Sequence, residues 1–130
     1  MRIQLKEWNV KNLTLTSKQG EIVQDNKDNK FQLSFGHALN EENQCEFAIG
    51  FKISLDDNLL HLELEMIFMF ETDKKLDKEF DKSPFIRINA PAIAFPYIRS
   101  YVSNLTLQSG YKPIILPSIN FAALNERADQ

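Results

Sequence analysis

The strictest constraint on the fold is a period-two pattern that runs from residue 47 to residue 70. Phe47, Ile49, Phe51, Ile53 and Leu55 alternate with Ala48, Gly50, Lys52 and Ser54. After Asp56-Asp57-Asn58 the pattern resumes as Leu60, Leu62, Leu64, Met66, Phe68 and Phe70, set against His61, Glu63, Glu65, Ile67 and Met69. Successive strand side chains point to opposite faces, so each segment predicts a β-strand with one apolar face. The Asx residues between them turn the chain back, which predicts a hairpin. The opposite face of the second strand begins acidic and turns apolar at Ile67 and Met69, a candidate interface.

Two further segments join this sheet. Ile3, Leu5, Val10, Leu13 and Leu15 fall mostly at spacing two, with a shift around Trp8 and Val10. They predict a long first strand, bulged near residues 7–9. Phe31, Leu33 and Phe35 alternate with Gln32 and Ser34, predicting a short half-buried strand. Residues 18–30 between them are polar, with Ile22 and Val23 the only apolar side chains. That loop is longer than a hairpin needs, so these two strands are not expected to form a tight hairpin.

Residues 73–82 are charge-dense, with Leu76 and Phe80 four apart. The spacing admits a short helical turn, and the charge density favours a solvated connector. A long helix is predicted over residues 89–110. Asn89 is placed to cap it and Pro91 fits its first turn. Ala94, Ile98, Tyr101, Val102 and Leu105 form its apolar stripe, widened by Ile93 and Tyr97, and Gly110 ends it. Residues 111–118 read as an extended, proline-bounded link. Ser118 or Asn120 caps a short helix over residues 119–128 that contains Phe121 and Leu124. The whole is one α+β domain over residues 1–130: a four-stranded antiparallel sheet within residues 1–72, with both helices on one face.

Composition narrows the function. A net charge of −3 lacks the basic face that sequence-independent nucleic-acid binding requires. One cysteine, Cys45, makes no intrachain disulfide and fits a reducing compartment. The first residues alternate polar and apolar rather than forming a signal sequence, and no apolar run approaches a membrane span, so a cytoplasmic protein without membrane insertion is expected. His37 and His61 lie at no zinc-ligand spacing with Cys45, no glycine-rich phosphate loop is present, and no local motif supports a Ser-His-Asp arrangement. Glu63 and Glu65 share a strand face, where solvation rather than catalysis is expected. These observations point to a binding protein with no catalytic residues, metal or cofactor.

The last third carries a more specific signal. Phe95-Pro96-Tyr97 followed by Arg99, then Leu116-Pro117, Ile119-Asn120-Phe121 and Ala123-Leu124, resembles the closing segment of SecB, the bacterial protein-export chaperone family. Lys11-Asn12-Leu13-Thr14 is similar to the family's opening strand. The resemblance implies a cytosolic homotetramer, a dimer of dimers, that holds unfolded or precursor proteins without ATP. Export members pass precursors to the SecA motor ATPase, and a related subset protects the antitoxin of a toxin–antitoxin pair.

On that reading, candidate client contacts are Ile22, Val23, Tyr111, Ile114, Ile115, Leu116, Phe121 and Leu124. For each, ordinary packing against the sheet is the competing expectation. Phe121 and Leu124 are expected to be partly buried with one exposed edge. Tyr97, Ile98, Tyr101, Val102 and Leu105 are assigned to the oligomer interface. Export relatives carry acidic residues at the end of the first strand for docking SecA. Residues 12–17 here hold none, which leaves Glu63 and Glu65 as the possible motor-protein contact. A different class, a hotdog-like small-molecule binder, would need a buried carboxylate or histidine beside the helix start.

Overall fold

The computed structural model describes residues 1–18 and 30–128. Four strands, β1 (Ile3–Ser17), β2 (Lys30–Leu39), β3 (Glu46–Asp56) and β4 (Leu60–Thr72), form one antiparallel sheet in the order β1-β4-β3-β2. The chain then makes a short 3-10 turn (Lys78–Lys82) and a π-helical turn (Phe85–Asn89). Helix α1 (Ala90–Gln108) and helix α2 (Phe121–Ala128) follow. This is the fold class expected from the sequence.

The two alternating segments sit side by side because the β3–β4 turn closes as predicted. Asp57 Oδ1 accepts from the amides of Leu59 and Leu60 at 2.7 and 2.9 Å. Register then puts Phe47, Ile49, Phe51, Ile53 and Leu55 opposite Phe70, Phe68, Met66, Leu64 and Leu62. All ten are buried.

The first strand solves a harder problem. A one-residue slip would turn its apolar side chains to the opposite face. β1 carries two irregularities against β4, between Leu5 and Glu7 and between Val10 and Asn12. Each inserts one residue, at Lys6 and at Lys11. Leu5, Trp8, Val10, Leu13 and Leu15 therefore all pair with the inward residues of β4, although their numbers change parity twice. The expected single bulge at residues 7–9 is corrected to two bulges that flank that position.

Two boundaries also differ from expectation. Residues 73–82 are not only a connector. Asp77 Oδ1 accepts from the Phe80 amide at 3.2 Å, and the turn it caps buries Phe80 against Phe47. Asn89 does not cap α1: its backbone is already helical and its side chain makes no cap bond. The helical path starts earlier, where Ser83 Oγ accepts from the Phe85 amide at 3.1 Å. At the other end, Gly110 adopts φ 95°, with Gly110 N donating to Leu107 O and Tyr111 N to Thr106 O. That double bond pattern closes the helix and needs a left-handed residue. Gly110→Ala is expected to cost about 1 kcal/mol, read as a lower urea midpoint with an unchanged slope.

A polar clasp joins the end of β1 to the β3–β4 turn. Lys18 Nζ lies 2.7 Å from Asp56 Oδ1, and His61 Nδ1 lies 3.2 Å from the same atom. The Lys18 hydrogen bond, then the His61 bond, hold the Asp56 carboxyl below its usual value of 3.8. A depressed carboxylate stabilises the fold above its unfolded pKa and loses that contribution as pH falls through the folded value. Asp56→Asn is therefore expected to lower the melting temperature at pH 7. The gap to the parent should close under more acidic conditions, below the ordinary aspartate range.

Candidate functional site

Phe51 is the hub of an aromatic cluster. Its ring lies 5.7 Å from Phe68 and from Phe35, 6.4 Å from Phe95 and 6.5 Å from Phe121. Phe121 in turn reaches Phe35 at 5.3 Å and Phe95 at 5.8 Å. Its helix begins where Asn120 Oδ1 accepts from the Ala123 amide at 3.0 Å, one of the two caps expected. The cluster thus joins β2, β3, β4, α1 and α2.

On the β2 side this cluster reaches the surface. Phe31, Leu33 and Phe35 point toward the helical layer, yet remain half-buried. β2 is an edge strand, and the helices cover its inner face incompletely. Sequence reasoning missed these three as surface candidates. Their alternation marks a half-buried strand, but only the strand order reveals which strand lies at the rim.

The predicted client residues divide. Ile115 is 76% exposed and Leu124 is 37% exposed. Tyr111 and Ile114 are half-buried and pack on the core. Leu116 and Phe121 are fully inside, which corrects their placement: each fills the space between helix layer and sheet and has no surface to offer a client. Ile22 and Val23 lie outside the described residues.

The predicted interface residues divide as well. Ile98 and Val102 are completely buried against the sheet and cannot touch a second copy. Tyr101 and Leu105 are half-buried, and Tyr97 is exposed. The outward stripe of α1 is instead Ile93, Tyr97, Ser100, Asn104 and Leu107, spaced four and three apart. Trp8 of β1 extends it, with its ring 4.4 Å from Tyr97 and both side chains still exposed. Trp8 and Leu107 were not predicted. The shift in alternation near Trp8 signals a bulge, but the two separate bulges that turn Trp8 toward the helix show only in the pairing of β1 with β4.

The opposite sheet face carries Glu63 and Glu65. Glu65 lies across from Lys52, and Glu63 Oε1 is 3.5 Å from His61 Nε2. Farther along, Ile67 and Met69 are half-buried among Gly50, Ala48, Gly36 and Ala38. Among the described residues, the buried polar side chains are Thr72 and Thr106. The carboxylate or histidine that a hotdog-like binder would bury is therefore not among them.

The family description "Preprotein translocase subunit SecB" matches residues 1–130. The chain belongs to the SecB family. The protein-export protein SecB of Magnetococcus marinus is 51% identical over 43 residues, 33% of this chain and 27% of that protein. Its counterpart in Roseobacter denitrificans is 33% identical over 88 residues, 64% of this chain and 52% of that protein. These matches thus span 27% and 52% of the relatives' own length. The SecB-like chaperone of Mycobacterium tuberculosis, solved in complex with a ChAD peptide from the HigA1 antitoxin, superposes with a TM-score of 0.69 at 14% identity. That match covers 91% of this chain and 88% of that one, and it establishes a shared SecB-like fold. No helix among the described residues is long and apolar enough to cross a membrane.

Proposed function

We propose that this chain is the subunit of an ATP-independent holdase that keeps unfolded precursor proteins competent for export. The observation that carries this reading is the incompletely covered apolar rim of Phe31, Leu33 and Phe35 on β2, and Ile115 and Leu124 add exposed apolar surface from the link and α2. An unfolded client presents scattered apolar groups and free backbone rather than one epitope. Many weak apolar contacts, multiplied by several subunits, suit it better than one deep pocket. The outward stripe of α1 with Trp8 supports self-association into a dimer of dimers in the cytoplasm. Glu63 and Glu65 offer a negative patch to SecA. The chemistry of the rim is that of binding, not of catalysis.

A second reading is favoured by the fold neighbour bound to an antitoxin peptide: a chaperone of a toxin–antitoxin pair. The same rim serves both, and the partner distinguishes them.

Calorimetric titration with reduced, carboxymethylated lysozyme, which stays unfolded, tests the holdase reading. Binding is expected, and Ile115→Asp is expected to weaken it about tenfold by placing a charge in an apolar contact. Equal affinity of Ile115→Asp and the parent would remove Ile115 from the client surface. Titration with the SecA C-terminal tail at low salt tests the export branch, and absence of binding there favours the antitoxin branch.

A further inference from the structure

The link between α1 and α2 has no strand or helix of its own, yet its backbone is held. Ser103 Oγ donates to Ile114 O at 2.7 Å, Ile114 N donates to Thr106 Oγ1 at 3.0 Å, and Arg99 Nε donates to Leu116 O at 3.1 Å. Arg99, Ser103 and Thr106 are four and three residues apart, so they form one rail along α1. Thr106 is completely buried, and its hydroxyl donates to Val102 O at 2.8 Å. That leaves its lone pairs for the link amide. Pro113 and Pro117 bracket the held segment and fix their own φ.

The bonds grip the residue before and the residue after Ile115. Leu116 turns inward and is 1% exposed, while Ile115 turns outward at 76%. An apolar side chain this exposed would ordinarily be relieved by a backbone rotation that lets it fold inward. Here both neighbouring carbonyls are fixed, so the rotation is blocked.

The geometry points to Arg99, Ser103 and Thr106 as positioning residues that hold the link extended and so raise the client affinity of Ile115 without touching the client. This rests on the holdase reading. A surface already ordered before binding loses less conformational freedom when a client arrives.

Amide hydrogen exchange of the intact, client-free chain tests the clamp, and calorimetry with carboxymethylated lysozyme tests its consequence. Ser103→Ala is expected to speed exchange over residues 111–120 about tenfold, with β3 and β4 unchanged. Client affinity is expected to fall about three- to tenfold. Ser103→Thr, which keeps the hydroxyl, should restore both, and Arg99→Ala should act like Ser103→Ala. Exchange that rises equally in β3 and β4 would mark a general loss of stability and overturn the proposal. So would unchanged exchange over residues 111–120 in both alanine variants, or faster exchange with unchanged affinity. If the parent chain binds no carboxymethylated lysozyme, the holdase reading and the affinity half of this proposal fall together. The exchange data still decide whether the clamp exists.

Discussion

Phe51→Ala is expected to lower the unfolding free energy by about 3–5 kcal/mol, the range for removing a buried phenylalanine ring from a packed core. Phe51 is 1% exposed and contacts rings from β2, β4, α1 and α2. Its loss opens a cavity at the one point where all these elements meet. Small domains have about 5–15 kcal/mol to lose, so the variant should melt far below the parent. The damage should be uneven. α2 is short, and its buried Phe121 packs on Phe35, Phe51 and Phe95. Exchange in α2 should therefore rise first and furthest. Phe51→Leu keeps most of the volume and should recover more than half of the loss. A melting temperature within a degree or two of the parent would show that the cluster is not the keystone described.

Tyr97→Asp combined with Leu107→Asp is expected to break self-association. Both side chains are exposed, at 43% and 55%, and neither supports the core, so the subunit should keep its fold. Both lie on the outward stripe of α1, about three turns apart, and a second copy packed there would bury both. A carboxylate buried unpaired in such a contact carries a desolvation cost of several kcal/mol. With the subunits assembled as the proposed dimer of dimers, native mass should drop from four times 15.1 kDa to half of that or less, with unchanged far-ultraviolet circular dichroism. Trp8 is the only tryptophan and lies against Tyr97, so its emission should shift to the red as the face becomes wet. An unchanged mass would move the interface elsewhere.

Much of this architecture is legible in the residues themselves. The alternation through residues 47–70 fixes two strands, their buried faces and their turn, because period two and an Asx turn leave no other arrangement that buries ten apolar side chains. The closing motif, from Phe95 through Leu124, is specific enough to suggest the family that the whole-chain match establishes. What stays hidden depends on contacts between elements distant in sequence. Two bulges decide that Trp8 faces the helix; the broken alternation announces one near it, and only the register against β4 divides it into two, at Lys6 and Lys11. Ile98 and Tyr97 are neighbours in one apolar stripe, yet the first is buried and the second exposed. Consecutive helical residues lie about 100° apart, so Ile98 falls in the row of Ala94 and Val102 and Tyr97 in the row of Ile93 and Ser100; both rows are partly apolar, and only the packing shows which one the sheet covers. Leu116 and Ile115 divide in the same way, because hydrogen bonds from α1 choose which of two adjacent apolar residues turns inward. The rim at Phe31, Leu33 and Phe35 follows from strand order alone.

The proposed holding of unfolded proteins by this SecB-family chain is open to direct measurement. Light scattering of a chemically denatured, slow-refolding protein diluted into buffer tests it most directly, with a several-fold excess of this protein and no nucleotide. Strong suppression of scattering by the parent is expected, with weaker suppression by Ile115→Asp at equal concentration. Scattering that rises as fast with the parent protein as without it would mean that this chain is not a holdase.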